Sequence, residues 1–229
     1  MEQKAPPTPP PLPVQSSVVS QRKGINVIDR AKNILITPKT EWAVIEKETY
    51  SNPIILSSYV LPMLLIGAVA TFIGQGLIGV STGFGGSTAN ITSGFVGMLL
   101  FALHTVVLVF GIAAAIDVLG PSFGAEKNWI RSFQLSAYSL TAAYVGSLFL
   151  IFPALWILVL LCTLYSLYPL YTGLPILKKT PADKQIAYFA VILIITVLLA
   201  ILLGILEREI IKAVQPRPRG FNFNNFRLG

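Results

Sequence analysis

Charge is what this chain has least of. Of its 229 residues, 12% are Asp, Glu, Lys or Arg, half the share of about 25% found in water-soluble domains. Between Ser51 and Leu206 only eight charged residues occur, in two tight clusters. One is Asp117, Glu126, Lys127 and Arg131; the other is Lys178, Lys179, Asp183 and Lys184. Everything else in that stretch is apolar, small or aromatic, in runs long enough to cross a bilayer, where charge is costly. Cysteine is nearly absent, and Cys162 alone excludes an internal disulfide framework or a multi-cysteine metal site. His104 is the only histidine, and without acidic or thiolate neighbours it builds no metal site. The first residues lack an apolar h-region, so no signal peptide is expected ahead of the spans.

Hydrophobic residues make up 54% of the chain, so lipid rather than water is expected to face most of its surface. The formal net charge of +7 sits almost entirely on loops and tails. That distribution suits anionic lipid headgroups and sets orientation. It does not suit nucleic acid, because no basic helix or aromatic-basic platform lies outside the membrane region.

Residues 1–23 hold six prolines and read as an extended, flexible tail. From Gly24 the pattern becomes helical, with Ile25, Ile28, Ala31 and Leu35 opposite Asp29, Arg30, Lys32 and Asn33. Thr37-Pro38 reads as an N-cap followed by proline at the first helical position of a second short helix. That helix carries Trp42 and Ile45, and residues 24–50 therefore form an amphipathic helical segment. Its apolar face suits either the headgroup boundary or packing on the bundle.

Residues 51–206 read as a five-span domain: Ile54–Val80, Gly94–Leu119, Phe133–Phe152, Leu155–Leu174 and Ile186–Leu206. The apolar run from Phe133 to Leu177 would reach about 67 Å as one helix, twice the hydrocarbon core of about 30 Å. Pro153 near its middle marks a hairpin turn. Five spans place twelve Lys and Arg on the side of the N-terminal arm and the two charged loops, against five in the tail 207–229. This excess predicts a cytoplasmic N-terminus and an outer C-terminus. Small-residue pairs four apart, such as Gly67 with Thr71 and Ala142 with Gly146, predict close helix packing within the bundle or a homo-oligomer.

No catalytic constellation emerges, because the spans offer His104 and only one carboxylate, Asp117, at a span's end. His104 is expected to make an interhelical hydrogen bond and Cys162 to pack. No cofactor, metal or catalytic residue is expected. The candidate surface for anionic headgroups or a protein partner is basic: Arg30, Lys32 and Trp42, with Lys127, Arg131, Lys178, Lys179 and Lys184.

The run from Ile25 to Trp42 resembles the N-terminal helix and turn of bacterial Yip1-domain proteins. Leu119 to Trp129, followed by Ala137-Tyr-Ser139, is similar to that family's central cytoplasmic loop and third span. Leu164-Tyr-Ser-Leu-Tyr168, Tyr171-Thr-Gly-Leu-Pro175 and Lys179 to Lys184, with Tyr188, resemble its closing segment. The resemblance covers about residues 24–206 and implies five transmembrane helices with a cytoplasmic N-terminus. Eukaryotic members are linked to Rab GTPases, vesicle traffic and membrane shaping; no catalytic or ligand residues come with the likeness.

The expected protein is an all-α membrane protein, a bundle of five transmembrane helices preceded by a cytoplasmic amphipathic helical segment. It is expected to be a non-enzymatic scaffold or adaptor in a bacterial inner membrane. A small transporter or channel, with His104 and Gln75 along a water path, is the main alternative. A subunit of a larger complex, docking through the proline-rich N-terminus and Phe221–Phe226, is a third.

Overall fold

In the computed structural model, residues 25–81 and 87–214 are described. The proline-rich tail and Phe221–Phe226 lie outside the described residues. Two short helices, α1 (Val27–Ile36) and α2 (Pro38–Glu46), precede five helices long and apolar enough to span a membrane. These are α3 (Asn52–Ile78), α4 (Ile91–Phe123), α5 (Trp129–Ile151), α6 (Trp156–Leu177) and α7 (Gln185–Val214). Between α3 and α4, β1 (Val80–Ser81) pairs antiparallel with β2 (Ser87–Thr88).

The five-helix expectation holds, with boundaries that differ at the ends. The hairpin between α5 and α6 turns at Pro153, as expected: Phe152 before it is extended (φ −112°, ψ 98°), the conformation a following proline enforces. The largest shift is in α7, which continues through Glu207, Arg208, Glu209 and Lys212, residues expected in a polar tail. Hydropathy marks where lipid should end, whereas Glu, Arg and Lys are good helix formers and let the helix run on.

Irregular backbone inside the spans is answered by neighbouring groups. Between Ser139 and Thr141 the backbone of α5 breaks its regular course at Leu140, and the Ala143 N–H donates instead to Ser166 Oγ of α6 at 3.0 Å. Pro175 has no N–H to give the Tyr171 carbonyl, and Gln185 Nε2 of α7 supplies one at 2.9 Å. Such substitutes satisfy backbone groups where water is absent.

In its most apolar stretch α5 is the central helix, 61% buried, and α7 the most peripheral, 6% buried. The densest core lies toward one end, around Tyr59, Tyr138, Phe133, Leu135 and Leu174. The Tyr59 and Tyr138 rings meet edge-on at 4.8 Å. Against this core packs the α1–α2 pair, with Ile34, Trp42 and Ile45 fully buried. Part of its apolar surface therefore serves the bundle, while Ile28, Ile36 and Val44 stay exposed. Gly173 makes room, since a Cβ there would lie 2.4 Å from Leu135 Cδ1 and 2.8 Å from Trp42 Cε2. At the opposite end α3 approaches the α5 terminus so closely that a Cβ on Gly74 would lie 2.1 Å from the Leu150 carbonyl oxygen.

Candidate interaction face at the loop end

Three segments far apart in sequence converge at one end of the bundle: the α1–α2 pair, the α4–α5 connection and the α6–α7 connection. Backbone and side-chain bonds tie them together. The Glu126 N–H donates to the Lys178 carbonyl at 2.8 Å. Arg131, at the start of α5, spreads its guanidinium over the end of α2, donating to the carbonyls of Ile45 at 3.0 Å, Glu48 at 3.2 Å, and Glu46. A helix leaves its last carbonyls unpaired and negative, so a guanidinium is well matched there. Trp42 fixes the hairpin from below, its indole N–H donating to the Pro169 carbonyl at 3.0 Å.

Two buried ionic groups stabilise this assembly. In the first, Arg30 pairs with Glu41 at 2.5 Å and with Glu48, while its guanidinium sits 5.4 Å from the Tyr138 ring centroid. Asn33 Nδ2 holds the other Glu41 oxygen at 3.0 Å. Burial by itself would lower the Arg30 guanidinium; Glu48, with Tyr138 and Glu41, outweighs it and holds it above its ordinary value. A polar cleft of about 270 Å³ opens beside this group, lined in part by Asn26, Asp29, Glu48 and Tyr50.

In the second, Lys178 is fully buried. Its ammonium donates to Ser132 Oγ at 2.8 Å, Asp117 Oδ1 at 3.3 Å and the Asn128 carbonyl at 3.3 Å. Burial pushes it below the ordinary lysine range despite the Asp117 carboxylate beside it. The next residue, Lys179, adopts a left-handed conformation (φ 52°) that ends α6 and turns its side chain out to Glu46.

The eight residues singled out from sequence thus divide. Lys32, Lys127, Lys179 and Lys184 are exposed. Arg131 is half-buried and engaged with α2. Arg30, Trp42 and Lys178 are buried in the protein, Arg30 reaching only the wall of the polar cleft, a correction to the outward placement expected of them. Each is withdrawn for the same reason: a partner inside the fold, a carboxylate or a carbonyl, lies within its reach. Lys39 and Lys47, not singled out, are exposed on the same end, as are Ile28, Ile36 and Val44. Ile28, Lys32 and Ile36 fall four apart and share one face of α1. Six exposed lysines stand there against the exposed carboxylates Asp29, Glu126 and Asp183.

His104 makes the interhelical bond expected of it, to Glu207 of α7 at 2.6 Å. Cys162 packs against Gly146, where a Cβ would lie 2.3 Å from the Cys162 Cβ. Among the described residues no group of three His, Cys, Asp or Glu is placed to hold a metal ion.

Comparison with known proteins adds a family. The Yip1 domain matches residues 32–205. Inner membrane protein YohC of Escherichia coli K12 is 26% identical over 195 residues, covering 82% of this chain and 95% of that protein. The YohC of Escherichia coli O6:H1 matches to the same extent. No solved structure matches the chain.

Proposed function

The chain belongs to the Yip1 domain family, and from that premise we propose that it is a non-enzymatic scaffold or adaptor of a bacterial inner membrane. The loop end faces the cytoplasm, with the N-terminus inside and the C-terminal end of α7 outside, in keeping with the lysine excess at the loop end. The relatives' description as inner membrane proteins supports the compartment.

One observation carries the adaptor reading. The loop end is a rigid platform, cross-tied by Arg131, Lys178 and Trp42, whose outward groups are lysines interspersed with apolar side chains. Cross-ties spend the buried cations on structure and leave Lys32, Lys39, Lys47, Lys127 and Lys184 free for an acidic surface. Near an anionic leaflet each is worth about 1 kcal/mol. Ile28 and Ile36 beside Lys32 give the same face an apolar component for the acyl boundary or for a partner.

The test is amine crosslinking in native membranes followed by mild-detergent purification and mass spectrometry. A stoichiometric partner joined through Lys32, Lys127 or Lys184, and lost on changing those three to Gln, supports the adaptor. Recovery of the protein alone, or joined only to itself, with the same yield from the Gln variant, refutes it.

A further inference from the structure

The His104–Glu207 pair is a titratable contact between α4 and α7 that the platform does not use. His104 is thirteen residues from Asp117 along α4, about 20 Å at helical rise, short of the far edge of a hydrocarbon core of about 30 Å, and Glu207 directly follows the apolar run Ile186–Leu206 of α7. Its Nδ1 lies 2.6 Å from Glu207 Oε1, and both side chains are about three-quarters shielded by protein. Ionisable groups at such depth are costly and cluster where protons or ions act.

We propose that His104 and Glu207 form a proton-binding site inside the membrane, whose occupancy latches the C-terminal half of α7 onto α4. The inference stands apart from the adaptor reading. One proton between Nδ1 and Oε1 leaves the pair neutral overall, as imidazole with carboxylic acid or as imidazolium with carboxylate. Losing that proton leaves a net negative charge at this depth, and gaining a second leaves a net positive one. Loss of the proton puts the excess charge on the Glu207 carboxylate and favours its movement toward the headgroups, whereas a second proton leaves the charge on His104 and the hydrogen bond to Glu207 in place.

The neighbouring elements do not offset this charge. The α3 helix carries no Asp, Glu, Lys, Arg or His, its titratable group being Tyr59. From α5 come Arg131, Tyr138 and Tyr144, with Arg131 committed at the loop end. The α6 helix, which touches α7, carries Cys162, Tyr165, Tyr168 and Tyr171. On α4 itself Asp117 is engaged by Lys178, and on α7 Glu209 pairs with Lys212 at 2.7 Å. Tyr188 donates to the Ile116 carbonyl. That leaves Arg208, exposed on the turn of Glu207, to meet the carboxylate once it leaves His104.

The less enclosed partner is α7. Its apolar stretch is the least buried of the five, and around Gly204 a Cβ would find no atom within 4 Å. Leu199 packs on Gly111 of α4, and beyond it the side chains from Ile201 to Leu206 are exposed or half-buried, so the pair is the polar tie between α4 and this half of the helix.

The experiment is electron-spin distance measurement on the full chain in lipid nanodiscs. Spin labels go on Leu103→Cys and Leu206→Cys, both lipid-exposed, in a Cys162→Ser background. Between about pH 4 and about pH 9, a short-distance population should dominate at the acid end and be lost at the alkaline end. The double variant His104→Gln with Glu207→Gln keeps a neutral hydrogen-bonding pair and should hold the short distance at every pH. A wild-type distribution unchanged across the range overturns the proposal. So does a double variant that retains the pH response.

Discussion

Replacing Lys178 separates a structural cation from a docking one. Its ammonium lies 3.3 Å from Asp117 and is entirely enclosed, and Asp117 is itself buried. Lys178→Ala therefore leaves a carboxylate without its cation, and Ser132 and Asn128 without their donor. Breaking a buried pair on one side costs about 3–5 kcal/mol, far above the near-zero value of an exposed lysine. Lys178→Met with Asp117→Leu removes both charges and keeps the volume, and should recover most of that loss. The assay is detergent-induced unfolding in mixed micelles, read as a double-mutant cycle with a coupling above about 1 kcal/mol. The pH dependence is a second handle. Burial depresses Lys178 below the ordinary 10.5, so between those values the unfolded chain holds a proton that the folded chain has released. Stability attributable to this group is lowest below the depressed value and rises with pH up to about 10.5. Lys178→Met should abolish that rise. A cost under 1 kcal/mol for Lys178→Ala, or zero coupling to Asp117, would refute the structural assignment.

Two further outcomes test the packing. Trp42→Ala removes the fully buried anchor of the α1–α2 pair and its bond to Pro169; a loss of about 3–5 kcal/mol should appear with protease cleavage near Thr37, and an unchanged digest would count against docking. Gly74→Val places a side chain where the Leu150 carbonyl already stands at 2.1 Å from an ideal Cβ; the variant should lose stability by about 1–3 kcal/mol or more, whereas Gly204→Ala, with open space around it, should be near neutral in the same thermal assay.

Much of the architecture was legible because it rests on local, one-letter properties. Apolar runs, the proline at 153 and the grouping of lysines are each visible without knowing a neighbour, and together they establish five spans and the meeting of the two charged loops at one end. The helical period of residues 25–45 likewise exposes an apolar face, though not what that face touches.

What tertiary structure alone decided is which charges stay outside. Arg30 finds Glu41 and Glu48 eleven and eighteen residues away, Lys178 finds Asp117 at sixty-one, and Trp42 reaches Pro169 at 127. The Arg30 pairings cross the break between α1 and α2, and the others join separate helices, so no pattern within one helix announces them. A lysine after a span reads the same whether it meets headgroups or a buried carboxylate. Residue type sets the cost of burying a charge, and only the fold supplies the partner that offsets it.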